Sequence, residues 1–288
     1  MSAPDAMSES LNYPMQKRRA VASRSYRVKI SPSNGQDFKA GQVVNIDLPS
    51  NLAGTYINWN QCYLKMKVTT NTVPYTLDRC GAAGLIQKVD CYTAGSQIFS
   101  LNNWNVLMTI LMDGDSSPAY KAGVGNVLMG TNGGFQAGET NASGSTRTYC
   151  VPFVLHPFAL STPHRLQPLF SSAPVQFKIT LDSAVNAVQG TAEPTLAFSE
   201  VELVCVFTEL SPGAQAQVDQ MSGGVYNILA SSYQNVGTTM GAVSAVTANL
   251  GISVSSLERI IVCHRPTGTL NDVTKFSLGN RAKNGLQQ

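Results

Sequence analysis

Charge is scarce in this sequence. Asp, Glu, Lys and Arg make up 13% of its 288 residues, about half of the roughly 25% usual in globular chains. A freely soluble monomer normally presents a more charged surface, so the shortage points to a surface covered by other subunits. Residues 220–257 contain no charged side chain at all. Long apolar runs are also missing. Ser, Thr, Asn and Gly interrupt that uncharged stretch throughout, so no membrane span, which needs about 20 predominantly apolar residues, is expected. The opening MSAPDAMSES has no apolar core of signal-peptide length, which argues against secretion.

Cysteine is sparse and carries no paired spacing. Cys62, Cys80, Cys91, Cys150, Cys205 and Cys263 are scattered with no C-x-x-C. Four lie in apolar strand-like runs, where a reduced thiol behaves as a small hydrophobe, so buried free thiols are expected. Catalytic signatures are absent too. There is no glycine loop followed by Lys-Ser/Thr and no G-x-S-x-G elbow. His156, His164 and His264 sit beside prolines or arginines, and none has a second ligand at metal-binding spacing. Asp113-Gly114-Asp115 lacks the closing Glu of a calcium loop and reads as a helix-ending turn. Asn141-Ala142-Ser143 is a glycosylation sequon that matters only in a secreted protein. No catalytic residue, metal ligand or cofactor is expected.

What is present is organised around residues 84–113. Leu85, Ile86, Val89, Cys91 and Tyr92 read as a strand, Ala94-Gly95-Ser96 as a turn, and Ile98-Phe99 as a returning strand. The period then changes. Leu101, Trp104, Leu107, Met108 and Leu111 recur at three- and four-residue steps, which predicts a short helix capped by Ser100 or Asn102 and stopped by Gly114.

Residues 1–36 read as a basic flexible arm. They hold six of the 20 basic residues and two of the 17 acidic ones, leaving 14 against 15 in the remainder. Lys17, Arg18, Arg19, Arg24 and Arg27 are the candidate contacts, either to nucleic-acid phosphates without sequence readout or to the inner surface of an assembly by lacing onto a neighbouring subunit. Strand signals follow at residues 43–48, 63–68, 146–151, 153–155, 175–181 and 200–207. Residues 114–145 hold eight glycines and no charge between Ala122 and Gly138. So long a loop is usually an excursion with a task, such as covering a neighbour. The uneven loops of residues 37–212 fit a jelly-roll sandwich better than an up-and-down barrel.

Residues 213–288 echo the central unit. Leu257-Glu258-Arg259-Ile260-Ile261-Val262-Cys263 can be laid on Leu85-Ile86-Gln87-Lys88-Val89-Asp90-Cys91. Phe276-Ser277-Leu278 likewise matches Phe99-Ser100-Leu101. Such self-similarity marks a duplicated unit. Leu257 and Cys263 should then point inward like Leu85 and Cys91, in a partial second jelly roll that stops roughly 100 residues short of completion. The expected class is all-β: a jelly-roll β-sandwich with one short helix, followed by the start of a second.

A basic arm, a jelly roll, a strand pair running into a short helix and a partly echoed second set ending in Phe276-Ser277-Leu278-Gly279-Asn280-Arg281 together resemble the double jelly-roll major capsid proteins of tailless icosahedral DNA viruses. The resemblance implies a structural protein with self as its partner: a homotrimeric capsomer tiled with neighbouring capsomers into a shell. It also implies contact with minor capsid or penton proteins, contact with genome DNA through the arm, and a place in the virion after assembly inside the host cell. Two other readings compete. A lectin-like β-sandwich would bind a ligand in the glycine-rich loop or at Trp59 with Asn58 and Asn60. A cupin-like enzyme would need a His/Glu metal set, which the three separated histidines do not supply.

Overall fold

A computed structural model describes residues 22–70, 73–161 and 166–239, and beyond these residues 247, 249–251, 256–263, 265 and 270–276. Eight strands carry the architecture: β1 (Ser23–Ile30), β2 (Val43–Asp47), β3 (Tyr63–Thr70), β4 (Ile86–Thr93), β5 (Ser96–Asn102), β6 (Thr146–Pro152), β7 (Val175–Leu181) and β8 (Leu196–Leu210). They form because apolar side chains recur at every second position. β3 and β7 alternate inward and outward residues along their whole length, as a strand with one buried face must.

One sheet runs β1-β8-β3-β6 and the other β2-β7-β4-β5, with every neighbour antiparallel. The chain therefore swaps sheets at each step from β1 to β4, turns back through the β4–β5 hairpin, and swaps again from β5 to β8. That winding, two nested Greek keys, is a jelly roll. Short segments extend the first sheet: Phe38–Lys39 and Thr55–Ile57 pair with β8, and Gln167–Pro168 with Thr55–Ile57. The core lies between the sheets, with Ile46, Leu64, Met66, Val89, Phe177 and Leu203 all fully buried.

β8 faces inward along most of its length because of a bulge. Its register against β3 shifts between Ser199 and Glu202, and Glu200 sits at φ 50° in the left-handed region. The extra residue changes the phase, so Leu196 and Phe198 point inward before it and Val201, Leu203 and Cys205 after it. A bulge is the usual device for such a switch.

Helix α1 (Trp104–Asp115) follows β5 as its periodicity predicts. Its N-cap is Asn103, in the left-handed region and without a side-chain capping bond, rather than Ser100 or Asn102; the helix also runs one residue past Gly114. The buried face turns towards Asn105 and Thr109 because both are satisfied there. Asn105 Nδ2 donates to Asp182 Oδ2 at 2.6 Å and to the Gly84 carbonyl at 3.3 Å, and Thr109 Oγ1 donates to the Asn105 carbonyl at 2.8 Å. Burial pushes the Asp182 carboxyl up from the ordinary carboxylate range, against the hydrogen bonds that favour its charge.

Four expectations need correction. Residues 23–30 are not arm: β1 pairs with β8 over its full length, from Ser23 opposite Leu210 to Ile30 opposite Leu203. Val28 and Ile30 pack on the core, so the sandwich begins before residue 37. The physical reason is the otherwise open edge of β8, whose unpaired amides and carbonyls β1 satisfies. The strand signal at residues 153–155 is not realised. The tract 114–145 is not plain loop but carries α2 (Pro118–Tyr120), a π turn (Lys121–Gly125) and α3 (Asn126–Met129). The helical content therefore exceeds one short helix. Gly81, at φ 62°, lets this excursion press against the sandwich, since a Cβ there would stand 2.2 Å from the Met129 carbonyl oxygen.

The fourth concerns the second sandwich. After α4 (Pro212–Ser222) the described residues form no strand, only an isolated bridge between Ser161 and Ala230. Leu257 is 62% exposed and Cys263 is exposed, whereas Leu85 and Cys91 are buried. A strand pair is not stable without further strands or a helix to cover its apolar face, and the described residues supply none here. Residues 277–288 lie outside the described residues.

At one end of the core Trp59, Phe153, His156 and Phe177 make a tight aromatic box, with His156 4.5 Å from Trp59 and 5.1 Å from Phe177 between ring centroids. With its proton on Nε2, His156 donates to the Phe153 carbonyl at 3.3 Å. Burial lowers its pKa to about 3, against about 6.5 in an unfolded chain. Between those values the unfolded state binds the extra proton, so stability contributed by neutral His156 is fully present above about pH 6.5 and drains away as pH falls towards 3. In denaturant titrations across that window, His156→Gln should show a flatter pH dependence than the parent, by up to about 1.4 kcal/mol for each pH unit. Equal slopes would assign the effect to carboxylates instead.

Candidate assembly surfaces

The outer face of the β1-β8-β3-β6 sheet carries a cluster of charges that meet one another. Lys65 Nζ lies 3.1 Å from Glu200 and 3.4 Å from Glu202, Lys67 Nζ 3.0 Å from Glu200, and Lys29 Nζ 3.5 Å from Glu202. The bulge at Glu200 is what swings its carboxylate between the two lysines. Arg24 is on the other face of the sheet, in phase with Tyr26, Val28 and Ile30 but past the end of the core. It reaches Glu209 Oε2 through both Nε and Nη2, at 2.9 and 2.7 Å, and its guanidinium lies 5.4 Å from the Tyr26 ring centroid. These contacts raise the Arg24 pKa, hydrogen bonding to Glu209 first and its charge second. Exposed pairs of this kind contribute little stability. Their consequence is a sheet face with little unbalanced charge.

Of the five basic residues read as nucleic-acid or inner-shell contacts, two are therefore on β1: Arg24 engaged with Glu209, and Arg27 exposed opposite Val206. Lys17, Arg18 and Arg19 lie outside the described residues.

A second surface is built by the excursion after α1. Its base is a buried ion pair: Lys121 Nζ donates to Asp113 Oδ1 at 2.8 Å and to the Gly134 carbonyl at 2.9 Å, while Arg79 Nη1 holds Asp113 Oδ2 at 3.2 Å. Both carboxylate oxygens are thus occupied, which leaves Asp113-Gly114-Asp115 poorly disposed to hold a cation. Among the described residues no group of three or more His, Cys, Asp or Glu could hold a metal. Above this base Val124, Val127 and Phe135 are exposed.

The third surface is the segment after α4, which lies on the sandwich through polar backbone contacts. Ser231 N donates to the Leu160 carbonyl at 3.3 Å, and Gly190 N to the Val273 carbonyl at 2.8 Å. Arg265 reaches Asn103 at 3.5 Å and Ser231 Oγ donates to Glu258 Oε1 at 2.6 Å, which brings residues 229–231 beside 257–258. What this leaves outside is apolar: Leu229, Leu257, Ile260 and Val262 are each at least 60% exposed. Contiguous apolar exposure is uncommon on monomers and marks interaction sites.

The lectin-like alternative fares differently. Trp59 is buried, donating from Nε1 to Gln167 Oε1 at 2.7 Å, and Asn58 spends its side chain capping a 3-10 turn. Neither offers a face to a sugar.

No family model matches this sequence, and no curated protein matches it. Solved structures do. The chain is similar to the capsid of PBCV-1 virus, at 17% identity and TM-score 0.49 over 71% of this chain and 46% of that one. It is similar to the Faustovirus major capsid protein, at 7% identity and TM-score 0.47 over 72% and 57%. It is also similar to PBCV-1 VP54 fitted into a reconstruction of the virophage Sputnik, at 17% identity and TM-score 0.45 over 72% and 47%. The likeness is one of fold. The chain spans about half the length of the solved chains it matches.

Proposed function

We propose that this chain is a structural capsid subunit that self-associates into homotrimeric capsomers and, with neighbouring capsomers, into an icosahedral shell in the virion. The observation that carries the reading is a jelly roll whose outward surfaces include a sheet face of mutually neutralising charges and two uncharged, apolar patches. A jelly roll is a wedge with its loops gathered at the ends, so its sides can face neighbours while its loops face outward. Uncharged surfaces avoid the desolvation that burying unpaired ions at such contacts would require. Residues 1–21, with Lys17, Arg18 and Arg19, supply a basic segment for genome or inner-shell contact, and the exposed excursion around Val127 and Phe135 offers a place for minor capsid or penton proteins.

The test is the assembly state. Sedimentation at micromolar concentration should show a stable trimer, and negative-stain images should show larger arrays at higher concentration. Ile260→Asp with Val262→Asp places two charges where a neighbour would sit. That variant should sediment as a monomer that keeps the parent's far-ultraviolet circular dichroism, with the lower melting temperature that loss of a stabilising association brings. A parent chain that is monomeric at those concentrations would overturn the reading.

A further inference from the structure

Cys62, the residue that leads into β3, and Cys205 of β8 face each other at the edge of the β3–β8 pairing. The antiparallel register of β3 and β8 runs from Glu202 opposite Lys65 to Val204 opposite Tyr63, and one step further sets Cys205 opposite Cys62. Directly opposed residues in an antiparallel pair have Cα atoms about 4.5 or 5.5 Å apart, inside the roughly 4.4–6.8 Å that disulfides span. Both side chains point into the core, where Cys62 is 3% and Cys205 0% exposed. We propose that Cys62 and Cys205 are an oxidisable pair that closes into a cross-strand disulfide, joining β3 to β8.

The two thiols are not equivalent. The Cys62 Sγ–H can donate to the Asn58 carbonyl at 3.1 Å, and the Cys205 thiol is positioned to donate to the Cys62 sulfur. That bond lowers the Cys62 pKa; the same bond, together with burial, raises that of Cys205. Cys62 is accordingly the more acidic sulfur of the two and the one assigned the first step. The other buried thiols are held protonated: burial pushes both Cys80 and Cys91 up to about 12.

With a peroxide as oxidant the step balances. The Cys62 thiolate attacks one peroxide oxygen and breaks the O–O bond, giving a sulfenic acid and, after protonation, water. The Cys205 sulfur then attacks the sulfenic sulfur, forming the S–S bond and releasing the sulfenic oxygen as a second water. Two thiols lose two electrons and two protons, and hydrogen peroxide is reduced to two waters.

The pair closes a long loop, from residue 62 to residue 205. Such a closure restricts the unfolded chain most, so the oxidised protein should melt roughly 5–15 °C higher than the reduced one. The experiment treats the full chain with hydrogen peroxide under native conditions, blocks remaining thiols, and maps peptides by mass. The expected product is a Cys62–Cys205 linked peptide lighter by two hydrogens, with the higher melting temperature reversed by dithiothreitol. In Cys205→Ser, the sulfenic acid at Cys62 should persist and be trapped by dimedone. Exposed Cys263 serves as the internal measure of peroxide exposure. Oxidation of Cys263 with Cys62 and Cys205 still reduced, or a linkage involving other cysteines, would overturn the proposal. Should Cys205→Ser fail to fold, the parent's peptide map decides alone.

Discussion

Deleting residues 1–30 is expected to cost most of the stability of the sandwich, whereas deleting residues 1–21 leaves it folded. The longer deletion removes β1, which pairs with β8 from Leu203 to Leu210 and packs Val28 and Ile30 on the core. Full burial of such a side chain is worth about 1.5–3 kcal/mol; Val28 and Ile30 are half-buried and contribute part of that, and the unpaired edge of β8 adds the rest of the loss. Together these reach on the order of 5 kcal/mol, comparable with the entire stability of many domains. Urea titration of the two truncations separates them directly. The shorter deletion also isolates the basic segment. If Lys17, Arg18 and Arg19 each neutralise a phosphate, removing them lowers the slope of log K against log salt for DNA by about 0.9 per contact. An unchanged slope leaves only the lacing role for the segment.

The second large effect is at the base of the excursion. Asp113→Ala should destabilise the protein by about 3–5 kcal/mol, because it leaves the ammonium of Lys121 buried with no counter-charge. Lys121 is 2% exposed and its Nζ retains only the Gly134 carbonyl among the hydrogen bonds it now makes. Lys121→Met should cost less, since Arg79 still holds the Asp113 carboxylate at 3.2 Å. Asp113→Ala combined with Lys121→Met should cost less than the two single changes added together, as expected for groups that compensate each other's charge. Additive losses would mean that the pair contributes through packing rather than through charge.

Much of the fold was legible as alternation. The alternation of residues 175–181 predicts a strand with the bounds that β7 has, and residues 84–113 resolve into β4, β5 and α1 much as their change of period indicates. The errors have physical causes. β1 carries Tyr26, Val28 and Ile30 at alternate positions, a strand pattern hidden among the basic residues that dominate the same stretch. The helical turns of the excursion and α4 each open on Ser-Pro, at 117–118 and 211–212. Ser117 and Ser211 accept from backbone amides three residues on, with proline in the first turn. That pairing is a helix-start signal, and it was outweighed by the glycines around it.

The echo at residues 257–263 failed for another reason. Its apolar residues are real, but local pattern does not create the neighbouring strands that bury them. The surfaces proposed for assembly were the least legible part. Scarcity of charge is visible in composition, whereas the mutual neutralisation of Lys65, Lys67, Glu200 and Glu202 depends on a bulge that no motif announces.

The position of β8 has a consequence in time. It is the last strand of the roll to be made, yet it lies in the interior of its sheet, between β1 and β3. β1, the first, finds its partner 173 residues later at Ile30–Leu203 and 187 later at Ser23–Leu210. At about 5–20 residues per second of synthesis, the growing chain carries an unpaired β1 for roughly 9–35 seconds. Throughout that interval the larger sheet is missing its middle. The ribosome finishes β8 before the sandwich can close, so whatever shields Tyr26, Val28 and Ile30 during synthesis sets the yield of correctly wound chains.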